Sequence, residues 1–128
     1  MYDIIVVGAG PSGLSAAITA SFIRPELNIL ILEKESRCGR KLSASGNGKC
    51  NVTNSVFDSS CYHSSDNNFI DNFVSHHSPT EICDYFVKLG IVMYEKNGYY
   101  YPVSNQAKQV TDIMLEQCIR NGIVVECN

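Results

Sequence analysis

The sequence predicts an α/β fold in which three parallel strands form a sheet packed against helices, with a β-hairpin inserted before the last strand. Three observations support this prediction. An apolar run at residues 3–7 is followed by glycines at the spacing G-x-G-x-x-G and then by small and apolar residues at 14–20. A second apolar run, 28–32, ends in an acid, and a third, 123–127, again follows a helical pattern. Strand, glycine turn, helix and strand in this order form a βαβ unit, whose strands are parallel.

Each of the three glycines has a physical role in this unit. Gly8 allows a tight turn out of the first strand, and Gly10 lets the backbone approach a diphosphate without an intervening side chain. Gly13 lets the helix lie close to the sheet. The free N–H groups and the dipole at the helix start, around Pro11 and Ser12, favour a phosphate there. The turn therefore predicts a dinucleotide site in a partial Rossmann-like fold.

Glu33 supplies the acid that this type of turn requires. It ends the second predicted strand, 25 residues after Gly8. An acid at about 20 residues accepts hydrogen bonds from the ribose hydroxyls of the nucleotide. Because an acid there repels a 2′-phosphate, FAD or NAD is favoured over NADP. The alternative is a tight βαβ turn that binds nothing.

Residues 34–54 follow this unit and are rich in Gly, Ser, Asn and Lys, without helical or strand periodicity. Because structureless segments of this length are uncommon inside a domain, we expect a functional or disordered loop. Residues 55–68 are predicted to continue the loop. Helical spacing resumes at Phe69, and the segment 78–81 (Ser-Pro-Thr-Glu) is typical of the start of a further helix, which Gly90 ends.

A β-hairpin is predicted over residues 91–103. Two apolar and aromatic runs there flank Asn97 and Gly98, the dipeptide that most favours a tight hairpin turn. Pro102 is expected to end the strand pairing, because proline has no N–H to donate.

A last helix is predicted with Ser104 as its N-cap and Asn121-Gly122 as its end. Its buried face comprises Ala107, Val110, Thr111, Met114, Leu115 and Cys118. The strand 123–127 that follows is expected to lie parallel to the first two, in the order third, second, first.

Bulk properties exclude several functional classes. The 128 residues carry a formal net charge of −3, so no basic excess points to nucleic acid or to an anionic membrane. No stretch approaches membrane-spanning length. Because Met1-Tyr2-Asp3 lacks a basic region before its apolar run, we expect a cytoplasmic protein. The six cysteines include no C-x-x-C, which favours reduced thiols and no metal site.

The first strand is predicted to be an unpaired sheet edge. A complete doubly wound sheet has at least two further strands on its other side, and the sequence contains none. Unpaired edges invite association. We therefore expect residues 1–128 to be the front part of a larger protein, the N-terminal part of a FAD/NAD(P)-binding domain truncated before its remaining strands.

The segment 39–54 reads G-R-K-L-x-x-S-G-x-G-K-C-N-V-T-N. After a glycine turn and an acid-ended strand, it resembles the BaiN/YhiN-like family of FAD-dependent bacterial oxidoreductases, also labelled the aminoacetone oxidase family. Residues 98–107 resemble the same family's G-x-x-F-P-x-S-x-x-A segment, and the match runs across the whole chain. The resemblance implies an oxidoreductase in which the flavin does the redox chemistry. Members are about three times as long, beyond the usual size of one domain. The resemblance implies an inserted substrate domain and a C-terminal return to the FAD sheet, both beyond Asn128.

The resemblance also implies a cofactor site: Gly8, Gly10, Pro11, Ser12, Gly13, Glu33, Lys34, Arg40, Lys41, Ser45, Gly46, Asn47, Gly48, Lys49, Cys50, Asn51 and Val125. The glycine turn would hold the pyrophosphate and Glu33 the ribose, with Lys34 just beyond it. Arg40 and Lys41 would supply positive charge. Residues 45–51 would wrap the flavin end, and Val125 would contact adenine. NAD(P)H is a candidate electron donor in the full-length family.

The residues themselves leave alternatives open. Gly46 and Gly48 free the backbone for an anion-binding nest, whereas the competing interpretation is a solvated, mobile basic loop. Cys50 is either a redox thiol facing the flavin or a small packing residue, which free cysteine more often is. At Asn47 and Lys49 the family often has glycine and arginine, and lysine lacks the bidentate fork of arginine.

The leading functional hypothesis is the FAD-binding segment of a flavin-dependent oxidoreductase with an unidentified small-molecule substrate. No residue is named as a catalytic acid or base. The second hypothesis is a truncated, non-catalytic remnant that binds a nucleotide or only packs with a partner chain. A third, an NAD-dependent dehydrogenase, fits less well, because such a fold normally proceeds directly to its third strand.

Overall fold

Eleven helices and strands, joined by short 3₁₀ turns, follow one another in the computed structural model, which describes residues 1–128. In chain order they are β1 (Ile4–Val7), α1 (Pro11–Ile23), β2 (Ile29–Glu33), α2 (Arg40–Ala44), β3 (Thr53–Asn54), α3 (Asn67–His76), α4 (Pro79–Lys88), β4 (Met93–Lys96), β5 (Tyr99–Pro102), α5 (Ala107–Arg120) and β6 (Val124–Cys127). They group into two structural units. The first unit is Met1–Cys50 with Ser104–Asn128, and the second is Asn51–Val103.

The first unit is built on a parallel sheet in the order β1-β2-β6. This confirms the three-stranded parallel sheet and the strand order expected from the sequence. In β2, the central strand, Ile29, Leu30 and Ile31 are all buried. Because successive side chains of a strand point to opposite faces, β2 is buried on both faces of the sheet over these three residues.

The core of the first unit lies where α1 and α5 pack together beside the sheet. Leu14 and Ile18 of α1, Ile31 of β2 and Met114 of α5 are all fully buried. Each such side chain contributes about 1.5–3 kcal/mol of burial free energy. This packing fixes the start of α1 against the ends of the strands.

The expectation of an unstructured loop over residues 34–54 is wrong. The segment contains α2, a 3₁₀ turn at Ser45–Gly48 and the short strand β3. Helix α2 has five residues, of which only Leu42 is buried, so it is too short to produce a visible periodicity. It is held by tertiary contacts with α5, including a 3.0 Å hydrogen bond between the Ser43 and Thr111 hydroxyls.

The second unit holds an antiparallel sheet in the order β3-β5-β4. The predicted hairpin is confirmed, and its turn residues Asn97 and Gly98 have φ of 54° and 85°. Pro102 does not end the pairing: it lies opposite Met93, and beyond it the Val103 N–H donates to the Val92 carbonyl at 3.0 Å. Alternate antiparallel pairs make no N–H···O bonds, so proline at such a position removes none.

Helix starts in the second unit follow the expected chemistry. The capping box of α4 is confirmed: the Ser78 N–H donates to Glu81 Oε2 at 2.9 Å, and the Glu81 N–H donates to Ser78 Oγ at 3.2 Å. Helix α3 begins two residues before Phe69, and the Asp66 side chain accepts the Phe69 N–H.

Helix α5 in the first unit starts later than predicted. Ser104 is not its N-cap; Gln106 is, and it makes no side-chain cap. Asn105 has a left-handed φ of 52°, so the helix does not extend back through it. Ser104 Oγ instead accepts the Gln106 N–H at 3.3 Å. The predicted end at Asn121 is confirmed. The predicted buried face is also found, except that Leu115 is only half-buried.

No helix in either unit is both long and apolar enough to traverse a membrane.

Candidate functional site

The turn between β1 and α1 is fixed by close backbone contacts. Gly8 has a φ of 100° and donates its N–H to the Leu32 carbonyl at 2.7 Å. A Cβ atom on Gly13 would lie 1.9 Å from the Gly8 carbonyl oxygen. Because no real Cβ approaches that closely, only glycine at position 13 allows α1 to meet the turn in this geometry.

The N-terminus of α1 is left open to an anion. Gly10 is the N-cap and provides no side-chain cap, Pro11 occupies the first helical position, and the first turn contains no acidic residue. Pro11 has no N–H, and helix geometry gives those of Ser12 and Gly13 no partner within the helix. Two amide donors and the positive end of the helix dipole therefore coincide here.

Glu33 is bound to the glycine turn. Its Oε2 accepts the Ala9 N–H at 2.8 Å, and its Oε1 accepts the Glu35 N–H at 3.0 Å. The N–H groups of Glu35 and Ala9, in that order of effect, hold the pKa of the Glu33 carboxyl below its ordinary value. It is thus an ionised acceptor at neutral pH. Since a carboxylate accepts about four hydrogen bonds, capacity remains for a ligand hydroxyl.

A cleft of about 560 Å³ opens beside this turn. Its lining is Gly10, Pro11, Glu33, Lys34, Glu35, Arg37, Gly39, Arg40, Lys41 and Ala44. Four of these residues are basic and two are acidic, an excess of two positive charges that suits an anionic ligand. Arg40 forms an ion pair with Glu35, so Lys34, Arg37 and Lys41 are the cations outside that pair.

Gly39 positions the wall of the cleft that α2 forms. Its N–H donates to the Ala9 carbonyl at 2.8 Å, which joins the start of α2 to the glycine turn. It has a φ of 64°, and a Cβ there would lie 2.3 Å from Thr111 Cγ2. Glycine at this position is therefore required both by its conformation and by the approach of α5.

The cleft brings together six of the residues predicted from the sequence: Gly10, Pro11, Glu33, Lys34, Arg40 and Lys41. Gly8, Ser12 and Gly13 form the adjoining turn. Sequence reasoning missed Glu35, Arg37 and Ala44, and it left Gly39 out of the site. Their position in the sequence, on either side of Arg40 and Lys41, could have indicated them. Their arrangement around one cleft, however, depends on the packing of α2 against α5.

Residues 45–50 follow α2 and do not line the cleft. Gly46, Asn47, Gly48 and Cys50 all have left-handed φ values between 54° and 80°. Cys50 is only 1% exposed, and burial raises the pKa of its thiol. A buried, protonated thiol favours the packing interpretation of Cys50 over the redox interpretation.

The two remaining predicted residues also lie outside the cleft lining. Val125 is half-buried on β6, opposite Ile31 of β2. Asn51 is the first residue of the second unit. Their assignment to a cofactor stays a prediction.

A parallel sheet of this order, a glycine turn at the open end of a helix and an acid bound to that turn define a Rossmann-type dinucleotide-binding domain. Within that class, the chain belongs to the HI0933-like protein Rossmann domain family, whose model matches residues 2–128. This confirms the resemblance to the BaiN/YhiN-like FAD-dependent oxidoreductases.

Curated relatives cover nearly the whole chain. The 3-dehydro-bile acid delta(4,6)-reductase of Clostridium scindens is 38% identical over 125 residues, which are 98% of this chain and 31% of the relative. The ribosomal RNA dihydrouridine synthase of Escherichia coli is 25% identical over 95% of this chain and 30% of its own length. The chain thus spans about a third of the length of these relatives.

Solved structures share the fold at low sequence identity. THI4 of Thermovibrio ammonificans superposes with a TM-score of 0.63 and 20% identity, covering 98% of this chain and 38% of that protein. FrdA of the Escherichia coli quinol fumarate reductase gives a TM-score of 0.60 and 17% identity, covering 97% and 25% respectively. These similarities concern the fold alone.

Proposed function

We propose that this chain is the FAD-binding segment of a flavin-dependent oxidoreductase and that its Gly8–Gly13 turn binds the FAD diphosphate. The observation that carries the proposal is the single cleft uniting the open N-terminus of α1, the Glu33 carboxylate and four basic residues. Family membership supports FAD as the dinucleotide. Bound FAD would supply hydride or electron transfer, while the protein binds and orients it.

The residues present fit the diphosphate and the ribose. The amides of Ser12 and Gly13 would donate hydrogen bonds to phosphate oxygens, and the first turn of α1 contains no acidic residue that would offset their positive potential. Glu33, ionised at neutral pH, would accept hydrogen bonds from the ribose hydroxyls. Lys34, Arg37 and Lys41 add positive charge along the cleft. We also assign residues 45–51 to the flavin end and Val125 to adenine, on the family resemblance alone.

The remaining parts of the enzyme are proposed to belong to a longer polypeptide. The chain spans 31% of the reductase relative, which leaves room for a substrate domain and the other strands of the sheet. We assign the small-molecule substrate to that part, with NAD(P)H as electron donor, because the relative's name is that of a reductase and a reductase needs one. A cytoplasmic location stays a prediction from the sequence.

Absorption spectroscopy of the purified chain tests FAD binding. After incubation with FAD and desalting, we expect a flavin spectrum at close to one FAD per chain, and calorimetry should show weaker binding of NAD. Glu33→Gln should lower the retained flavin, whereas Glu26→Gln, which removes an exposed acid paired with Arg24, should not. A colourless wild-type chain, or tight NAD binding without FAD binding, would contradict the proposal and favour the non-catalytic remnant or the dehydrogenase.

We further infer that the β1 edge self-associates when nothing else covers it. Strand β1 pairs only with β2, and its Ile5 and Val7 side chains are 56% and 85% exposed. Exposed apolar edge strands are templates for pairing with another chain. Sedimentation should show a concentration-dependent dimer that Val7→Lys weakens. A wild-type chain that stays monomeric at all concentrations would rule this out.

A further inference from the structure

Two thiols that are distant in the sequence lie in contact in the first unit. The Sγ atoms of Cys38 and Cys127 are 3.5 Å apart, although 89 positions separate the residues. Both side chains are half-buried. Cys38 lies between Arg37 and Gly39 in the segment that lines the cleft, and Cys127 is the last residue of β6.

The backbone on both sides fixes this proximity. Next to Cys38, the Gly39 N–H donates to the Ala9 carbonyl at 2.8 Å. Cys127 is paired with Glu33 in the parallel register, and the following N–H, of Asn128, donates to the Glu33 carbonyl at 2.9 Å. Each cysteine is therefore next to a residue whose backbone is hydrogen-bonded to another element. These bonds hold the two cysteine backbones at a fixed separation.

We propose that Cys38 and Cys127 form a disulfide bond by exchange with a low-molecular-weight disulfide of the glutathione type. One thiolate attacks the small disulfide, forms a mixed disulfide and releases one small thiol. The second cysteine then attacks the mixed disulfide and releases the second small thiol. Two protein thiols are oxidised, one small disulfide is reduced to two thiols, and the two protein protons end on the released thiols.

The surroundings of the pair set the rate of this exchange. Burial above all, then the neighbouring Cys127, and also the Glu33 carboxylate and Cys118, raise the pKa of Cys38 to about 12. Because only a thiolate attacks a disulfide, Cys38 should react more slowly at neutral pH than at alkaline pH.

Peptide mapping of the full chain tests the proposal. The protein is equilibrated in glutathione buffers that range from reducing to oxidising, quenched with acid, alkylated and digested. We expect the peptides of Cys38 and Cys127 to be recovered joined, with the loss of two hydrogens, in a fraction that rises at least about tenfold across the series. Dithiothreitol should reverse the link. Flavin content plays no part in this readout, so the outcome is independent of the proposed function.

Variants separate this pair from the other cysteines. Cys127→Ser should abolish the cross-link and leave Cys38 alkylated or joined only to glutathione. Cys83→Ser, which changes another half-buried thiol in the second unit, should leave the Cys38–Cys127 link intact. If the wild-type chain in oxidising buffer yields both cysteines alkylated, or each joined separately to glutathione, the proposal is wrong; that result decides even where a variant fails to fold.

Discussion

The glycine turn at residues 8–13 and the basic segment at residues 39–51, which holds Arg40, Lys41 and residues 45–51, are both predicted to contribute cofactor-binding residues, yet they are built differently. In the turn, contacts within the βαβ unit fix the backbone, such as the approach of Gly13 to the Gly8 carbonyl. In the basic segment, contacts with distant elements fix the first half, such as Gly39 against Thr111. In the second half, four of the residues 45–50 have left-handed φ values, and none of the six lines the cleft. A local pattern is therefore a reliable guide to the first region and a partial guide to the second.

The largest expected effect is on stability, and it distinguishes a glycine of the turn that folding requires from one that FAD binding requires. Gly13→Ala should lower the free energy of unfolding by about 3 kcal/mol, because its Cβ would meet the Gly8 carbonyl oxygen at 1.9 Å. Gly10→Ala is the matched control: a Cβ there has nothing within 4 Å, so stability should change by less than about 1 kcal/mol while FAD binding is lost. Urea unfolding and flavin retention measure the two effects. Equal stability of the two variants would show that the turn is not sterically fixed.

The next effect concerns the tertiary anchoring of the basic segment. Gly39→Ala should cost about 2 kcal/mol of unfolding free energy, through its positive φ of 64° and its clash with Thr111 Cγ2. Adding Thr111→Ser removes the clashing methyl, so the double variant should regain part of the loss relative to Thr111→Ser alone. A strictly additive double-mutant cycle in urea unfolding would mean that Gly39 and Thr111 do not interact.

A smaller effect tests the acid that joins the strand end to the turn. The pKa of Glu33 is lowered in the folded chain by the Glu35 and Ala9 amides, so its contribution to stability is present above its ordinary pKa and is lost as the pH falls through the lower, folded-state value. Glu33→Gln should therefore be less stable than wild type at neutral pH, and the gap should close in acid. It should also weaken FAD binding about tenfold, because it removes roughly the free energy of one hydrogen bond to a charged group.

Urea midpoints across the acid range, with Glu26→Gln as the exposed control, measure the stability difference for Glu33→Gln. A gap between wild type and Glu33→Gln that stays constant from neutral to acid pH would show that the carboxylate does not accept these amide bonds.

The smallest effect compares a cation that lines the cleft, Arg37, with a cation of the basic segment that does not, Lys49. Arg37→Gln, which removes a cation lining the cleft, should weaken FAD binding about fivefold, and Lys49→Gln, outside the cleft, only about twofold. Added salt should reduce the Arg37 effect more than the Lys49 effect. The opposite ranking in fluorescence titrations would indicate that the anion binds at residues 45–50 and not in the cleft.

The sequence was sufficient for several features that depend on neighbours along the chain, although it placed the N-cap of α5 at Ser104 instead of Gln106. The parallel sheet order, the acid at Glu33, the capping box at Ser78 and the hairpin turn at Asn97 are each encoded within a few residues or by strong strand patterns. The short helix α2 was missed because a single buried residue, Leu42, leaves no periodicity.

The part of the site that the sequence did not reveal depends on distant contacts. Arg37 lines the cleft two residues before Gly39, which is hydrogen-bonded to Ala9 and lies close to Thr111. The meeting of Cys38 with Cys127 depends on the register between β2 and β6. Neither spacing nor composition indicates such contacts.

The hydrogen bond from Ala9 to Glu33 has a consequence for the thermodynamics of ligand binding. It joins the end of one strand to the turn after another, so the proposed acceptor for a ribose and the proposed donors for a diphosphate are linked by a direct hydrogen bond. A ligand that contacts both then orders few protein torsions, and little of its interaction free energy is offset by lost conformational entropy. The site is in this sense pre-organised, and a dinucleotide should bind it with a larger favourable entropy than a flexible site of equal contact area would allow.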